Sequence, residues 1–207
     1  LEERIHDPEL RAKLVPDYPV GAKRILFTDD WYDALARPDV HLTDSPVDHV
    51  DAAGVVTVDG THHDVDVLIY ATGFETSSFL SPMTVRGRAD RCLNEEWHRN
   101  GAEAYLGVTH SGFPNFFLMY GPNTNLGHNS IVLMIEAQIR YVIGALDAMA
   151  LRNVQAADLN AEVQSEYNAW LENRMADKVW DAVGDSWYLD RGRITNNWVG
   201  STQEYWW

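Results

Sequence analysis

The chain has 207 residues, which suits one domain of ordinary size or slightly more. Apolar residues make up 45% and charged residues 23%, so wholesale disorder is excluded, and no apolar run approaches the ~18–20 residues that span a membrane. The 31 acidic and 16 basic side chains give a net charge of −15, which repels nucleic acid and anionic membrane surfaces.

The chain opens Leu-Glu-Glu-Arg-Ile, with no signal-peptide pattern and no initiator Met. Pro8 to Leu14 reads as a short helix with Pro8 in its first turn. Pro16 and Pro19 stop it and impose an extended path. Lys23-Arg24-Ile25-Leu26-Phe27-Thr28 is strand-like and starts on two cations. Trp31 to Ala36 reads as a short helix closed by Pro38, and Val40 to Leu42 as a short strand.

Val47–Val50, Gly54–Val58 and Val65–Tyr70 form a strand-rich block. Asp59-Gly60 is a strong turn dipeptide between two of its runs. Val65-Asp66-Val67-Leu68-Ile69-Tyr70 is β-branched and mostly apolar, as a buried strand should be. Residues 75–104 read as irregular, punctuated by Pro82, Gly87 and Gly101. Asn115 to Tyr120 reads as a second buried strand, stopped by Gly121-Pro122.

A loop rich in Asn, Thr and Gly follows, then a long helix from about Ser130 to Arg152. Its first turns are apolar nearly all round, which implies burial. A second helix runs from about Leu159 to Trp180, with Val163, Tyr167, Trp170, Leu171, Met175 and Val179 at helical spacing. Six of the eight tryptophans fall at or after Trp170, so this region must bury or stack aromatic surface.

The strand–loop–helix from Asn115 to Asn153 can carry chemistry in one of two ways. Its small residues and the positive helix end suit an electron-rich ligand edge, or Asn129 or Ser130 is an ordinary N-cap after an ordinary loop. Lys23 and Arg24 point to opposite faces of a strand. Either one holds a phosphate while the other enters a site, or both are a solvated pair. The histidines show no ligand spacing, so no metal is expected. The single cysteine, Cys92, excludes an internal disulfide and fits a reducing cytoplasm. Glu136 and Arg140 are spaced for an ion pair on a helix face. There is no G-x-G-x-x-G, no P-loop and no G-x-S-x-G elbow.

Four segments in order resemble the FAD- and NADPH-dependent Baeyer–Villiger monooxygenases of the flavin-containing monooxygenase group. They are Pro16 to Arg24, Asp66 to Phe74, Tyr105 through Gly112-Phe113-Pro114-Asn115 to Asn123, and Ser186-Trp187-Tyr188 with Asn197-Trp198. The resemblance covers the rear portion of such an enzyme. The glycine-rich loops that grip FAD and NADPH belong to the portions in front.

What the resemblance implies is an α/β fold: a partial FAD/NAD(P)-binding, Rossmann-like sheet with a β-hairpin layer and two long C-terminal helices. Residues 1–47 would end the NADPH domain, and 48–207 would close the FAD domain. Arg24 corresponds to the arginine that stabilises the negatively charged peroxyflavin, a task for a permanent cation. Lys23 corresponds to the lysine that holds the NADPH 2′-phosphate. Ala71, Thr72, Gly73 and Phe74 lie where the chain passes between the two domains. Gly121, Pro122, Asn123, Thr124, Asn125 and Leu126 correspond to the loop beside the flavin ring. Trp187 corresponds to a tryptophan near the nicotinamide cofactor.

The implied reaction inserts oxygen next to a ketone carbonyl. A chain without the glycine loops is expected to be inactive alone, since the cofactor must be held. It is otherwise one chain of a split monooxygenase, or a degenerate interaction module. The expected partners are a missing N-terminal chain or a second copy, meeting at open strand edges.

Overall fold

The computed structural model describes residues 1–76, 78–183 and 188–206. It is an α/β structure of small antiparallel sheets and several helices. Two compact units emerge, one of Leu1–Asp17 with Ile25–Phe74, the other of Tyr18–Arg24 with Glu75–Trp207.

In the first unit, α1 (Pro8–Lys13) starts where the sequence places it. The Asp7 carboxylate accepts from the Glu9 N–H at 2.9 Å and the Leu10 N–H at 3.4 Å, and Pro8 occupies the first turn. Helix α2 covers Trp31–Leu35. Strands β1 (Val47–Val50), β2 (Gly54–Thr57) and β3 (His62–Asp64) form an antiparallel sheet in that order. The Asp59-Gly60 turn is as expected. The Asp59 carboxylate accepts from the Thr57 hydroxyl at 2.6 Å and the Thr61 N–H at 3.0 Å. These bonds pull its pKa down to about 2.

Three expected strands do not form. Lys23–Thr28, Val40–Leu42 and Val65–Tyr70 run without ladder partners. Leu26 is 80% exposed, Phe27 94% and Ile69 82%. The residues are right for strands, but a strand exists only when a neighbour takes its N–H and C=O groups. No such neighbour is present among the described residues.

The second unit holds the longer helices. α3 (Leu93–Asn100) lies in the stretch expected to be irregular. Its buried Leu93 and Trp97, four residues apart, pack with Leu80, Ala102 and Phe113. α4 (Ile131–Arg152) and α5 (Ala161–Met175) match the two expected long helices. Ser130 caps α4 by accepting from the Val132 N–H at 3.2 Å. Asn160 caps α5 by accepting from the Glu162 N–H at 2.7 Å.

The expected burial of α4 is overturned. Only Met134 and Gln138 are buried, while Val132, Leu133, Ile139, Ile143 and Leu146 are exposed. The helix lays one narrow stripe on the core and leaves the rest of its apolar surface open. Nor does Arg140 pair with Glu136: its guanidinium sits 4.2 Å from the Trp206 ring centroid.

Asn115–Tyr120 is not a strand either. Asn115 and Tyr120 both take φ 59°, a left-handed turn conformation that ends an extended run. The tail folds into a two-residue-per-strand hairpin, β4 (Leu189–Asp190) and β5 (Arg193–Ile194), and a last short helix, α6 (Thr202–Trp206). Leu126, Met134, Leu171, Met175, Trp198, Val199 and Tyr205 make the core these elements share.

Candidate functional site

The loop Gly121–Leu126 is polar yet almost wholly buried. Buried amides must find partners, and the tail supplies them. The Asn123 N–H donates to the Thr195 carbonyl at 2.8 Å, and its Nδ2 donates to the Ile194 carbonyl at 2.6 Å. The Asn125 N–H donates to the Asn196 carbonyl at 2.9 Å, and the Trp198 N–H returns to the Asn125 carbonyl at 2.8 Å. Inside the loop, the Thr124 hydroxyl donates to the Gly121 carbonyl at 2.7 Å. Leu126 anchors the loop's end in the aromatic core.

Close backbone approach holds the other side. A Cβ on Gly121 would fall far inside contact with the Gly107 carbonyl, and one on Gly107 would strike Thr124 and the Pro122 carbonyl. Gly107 also has φ 63°, which favours glycine on its own. The Tyr105–Asn115 segment and the 121–126 loop therefore touch backbone to backbone.

Tyr120, at the loop entrance, donates its hydroxyl to Asn125 Oδ1 at 2.6 Å, and Asn125 Nδ2 donates onward to Asn197 Oδ1 at 2.6 Å. Burial raises the Tyr120 and Tyr188 pKa values, and the Arg24 charge opposes that shift at both. Arg24 thus lies within electrostatic reach of the loop entrance. It is exposed and has no ion pair among the described residues. Lys23 is exposed as well, its ammonium 4.4 Å from the Tyr18 ring centroid.

Of the residues expected in a site, Lys23, Arg24 and Gly121 to Leu126 share the second unit. Ala71, Thr72, Gly73 and Phe74 end the first unit, exposed and without regular structure. Trp187 lies outside the described residues. Sequence reasoning missed Tyr120 as a partner of the loop and Asn197 as its tie to the tail. The only available signal was a second cluster of asparagines, Asn196-Asn197, set among aromatic residues.

Among the described residues, no group of three His, Cys, Asp or Glu side chains is placed to hold a metal ion. No helix there is long and apolar enough to cross a membrane.

No family model matches the chain. A Baeyer–Villiger monooxygenase of Pseudomonas aeruginosa is 41% identical over 208 residues, covering 99% of this chain and 39% of that protein. One of Streptomyces coelicolor is 41% identical over 204 residues, covering 97% of this chain and 39% of its own length. An FAD-binding monooxygenase of Aspergillus niger is also 41% identical, covering 96% of this chain and 33% of its own. Among solved structures, a cyclohexanone monooxygenase of Rhodococcus sp. Phi1 bound to NADP+ superposes with a TM-score of 0.86 at 29% identity over 98% of this chain. A steroid monooxygenase bound to NADP gives 0.87 at 30% identity over 98%. OTEMO in complex with FAD and NADP gives 0.87 at 29% identity over 99%. The chain spans about two fifths of the length of each of these three structures. Sequence and fold thus point the same way: over nearly its whole length the chain is similar to about two fifths of a Baeyer–Villiger monooxygenase.

Proposed function

We propose that the chain supplies the cation-bearing part of an FAD- and NADPH-dependent enzyme that inserts oxygen beside a ketone carbonyl. The observation that carries this reading is Arg24. It is an exposed cation without an ion-pair partner in a strongly acidic chain, within electrostatic reach of a rigidly tied loop. A cation left unpaired among so many carboxylates is available for charge that arises elsewhere.

The residues present fit a flavin edge. The 121–126 loop spends the Asn123 and Asn125 N–H groups on the tail and is held still by them. The first turn of α4 stays exposed at Val132 and Leu133; its Val132 N–H is taken by the Ser130 cap, and the positive dipole end favours an electron-rich ring edge. Flavin, when bound, supplies the oxygen activation. Arg24 offsets negative charge at the reacting centre, Lys23 holds the NADPH 2′-phosphate, and the loop with α4 orients the ring. Ala71 to Phe74 carry the chain between the domains.

The exposed runs Ile25–Phe27 and Val65–Tyr70, and the open apolar face of α4, support a covering segment that also carries the glycine loops. In that reading, residues 1–47 close an NADPH-binding domain and 48–207 close an FAD-binding one. The two runs become strands of Rossmann-like sheets. The covering segment belongs to the same polypeptide or to a second chain, in the cytoplasm. A second copy of this chain is the alternative occupant of the same surfaces.

The test joins this chain to the front portion of the Pseudomonas aeruginosa relative, in one chain or by co-expression. Retained flavin and ketone-dependent NADPH oxidation, both lost on omission of either part, support the proposal. A complex that assembles and retains flavin but oxidises no NADPH with any ketone overturns it and leaves a non-catalytic interaction module.

A further inference from the structure

Helix α5 buries a stripe that changes character along its length. Leu171 and Met175 are apolar, but Asn168 and Gln164, one and two turns before Leu171, are buried as well. Spacing of three and four residues puts all four on one face. The polar half walls a cavity of about 490 Å3 that His110 also lines. A second cavity of about 420 Å3 is lined by Ala102, Leu171 and Met175. Asn168 and Arg193 line both, so the two spaces adjoin.

The polar groups of this wall are only partly used. Gln164 is satisfied: its Oε1 accepts from the Ser111 N–H at 2.7 Å and its Nε2 donates to Glu103 at 3.3 Å. Asn168 is 9% exposed and has no hydrogen-bond partner among the described residues. His110 is 5% exposed, and its Nδ1 lies 3.0 Å from the Ser111 carbonyl. A carbonyl can only accept, so Nδ1 carries the proton and Nε2 is left as an acceptor. Nε2 has no partner among the described residues, and neither it nor the Asn168 amide is sealed away from solvent. A ligand that pairs both groups exchanges their solvent contacts for two hydrogen bonds in a largely desolvated cavity.

Both guanidinium groups around the cavity are already paired. Arg91 holds Glu96 through two bonds of 2.7 Å. Arg193 reaches Glu172 at 2.6 Å, Glu103 at 3.5 Å and the Asn100 carbonyl at 2.6 Å. Three carboxylates thus face two guanidinium groups, both already paired, and no cation is left free to hold an anionic head group.

We propose that these adjoining cavities bind a small neutral molecule with a hydrogen-bond donor beside an acceptor and an apolar body, a primary carboxamide being the best match. Its N–H donates to His110 Nε2, and its carbonyl accepts from Asn168 Nδ2. Its hydrocarbon part lies against Ala102, Leu171 and Met175. Burial lowers the His110 pKa, which keeps the imidazole neutral and Nε2 able to accept. His110, Gln164 and Asn168 lie outside the loop and cations assigned above to oxygen insertion, so this site stands or falls independently of that reading.

The test titrates the purified chain with hexanamide, hexanoate and hexylamine while NMR follows the side-chain nitrogens of His110 and Asn168. Hexanamide should saturate and shift both signals; hexanoate, which meets no free cation, should be at least ~10-fold weaker, and hexylamine, whose ammonium cannot accept from Asn168 Nδ2, should leave the Asn168 signal in place. Asn168→Leu should weaken hexanamide ~10-fold. If that variant fails to fold, the three-ligand comparison on the unaltered chain decides alone. Equal affinity for the three ligands overturns the proposal, as do shifts confined to other residues. Failure of hexanamide to saturate also overturns it, and would mean that the wall holds solvent only.

Discussion

Asn125 and Asn197, 72 positions apart, meet in a parallel bridge with Asn125 Nδ2 donating to Asn197 Oδ1 at 2.6 Å. This contact ties the loop before α4 to the tail. Asn197 is also buried, so Asn197→Ala leaves the half-buried Asn125 amide without its side-chain partner. Removal of one partner of a buried hydrogen bond costs about 1–3 kcal/mol. Urea unfolding of the two chains should show a lower midpoint for the variant at unchanged slope. An unchanged midpoint would mean that the backbone bonds at Asn125 hold the loop alone.

The contact between Gly107 and Gly121 should tolerate no side chain. Gly121→Ala drives a methyl group into the Gly107 carbonyl, and Gly107→Ala adds a left-handed φ to a clash with Thr124. Each should cost more than ~3 kcal/mol, at the far end of the range for single substitutions. Gly127→Ala, where a Cβ meets nothing within 4 Å, is the control. Thermal melts that rank all three variants together would refute the close approach.

Arg24→Ala should leave the isolated chain's unfolding curve in place, because the side chain is exposed and unpaired among the described residues. In the complemented enzyme, the same change should lower ketone-dependent turnover by about 10²–10³, the usual effect of removing one preorganised group that faces developing charge. Full turnover in the variant would dismiss Arg24 from the reaction.

The β2–β3 hairpin should weaken in acid through Asp59. Its hydrogen bonds to Thr57 and Thr61 hold the folded pKa at about 2, against an ordinary value of about 3.9 in an unfolded chain. Between those values the unfolded state binds more protons, so stability falls as pH drops. The contribution is full above the unfolded value and gone below the folded one. Hydrogen exchange at the Thr61 amide should therefore accelerate across that window. Asp59→Ala should exchange fast at every pH.

The sequence made helices legible wherever a start signal or a repeat was present, as at Pro8 for α1, Ser130 for α4 and the Val163-to-Met175 spacing for α5. The hairpin was readable from Asp59-Gly60, because that turn is set by its own residues. Val65–Tyr70 has the composition of a strand, but pairing depends on a neighbour elsewhere, and composition carries no news of it. Asn115–Tyr120 misled for a different reason: both its ends are twisted into left-handed turns by the packing of adjacent loops. Helix α3 was hidden because Gly87 and Gly101 outweighed the Leu93–Trp97 spacing. At the site, the loop stood out only by resemblance. Its tie to Asn197 is a long-range pairing of two ordinary asparagines, which no local pattern encodes.

The exposed runs Ile25–Phe27 and Val65–Tyr70 carry a cost in the cell. Unpaired, apolar, β-prone backbone is what chaperones hold, proteases cut and fibrils recruit. A copy left uncovered has a short life, and a covered one is hidden from all three. If a further segment covers these runs, as proposed above, the abundance of the protein follows its assembly with that segment.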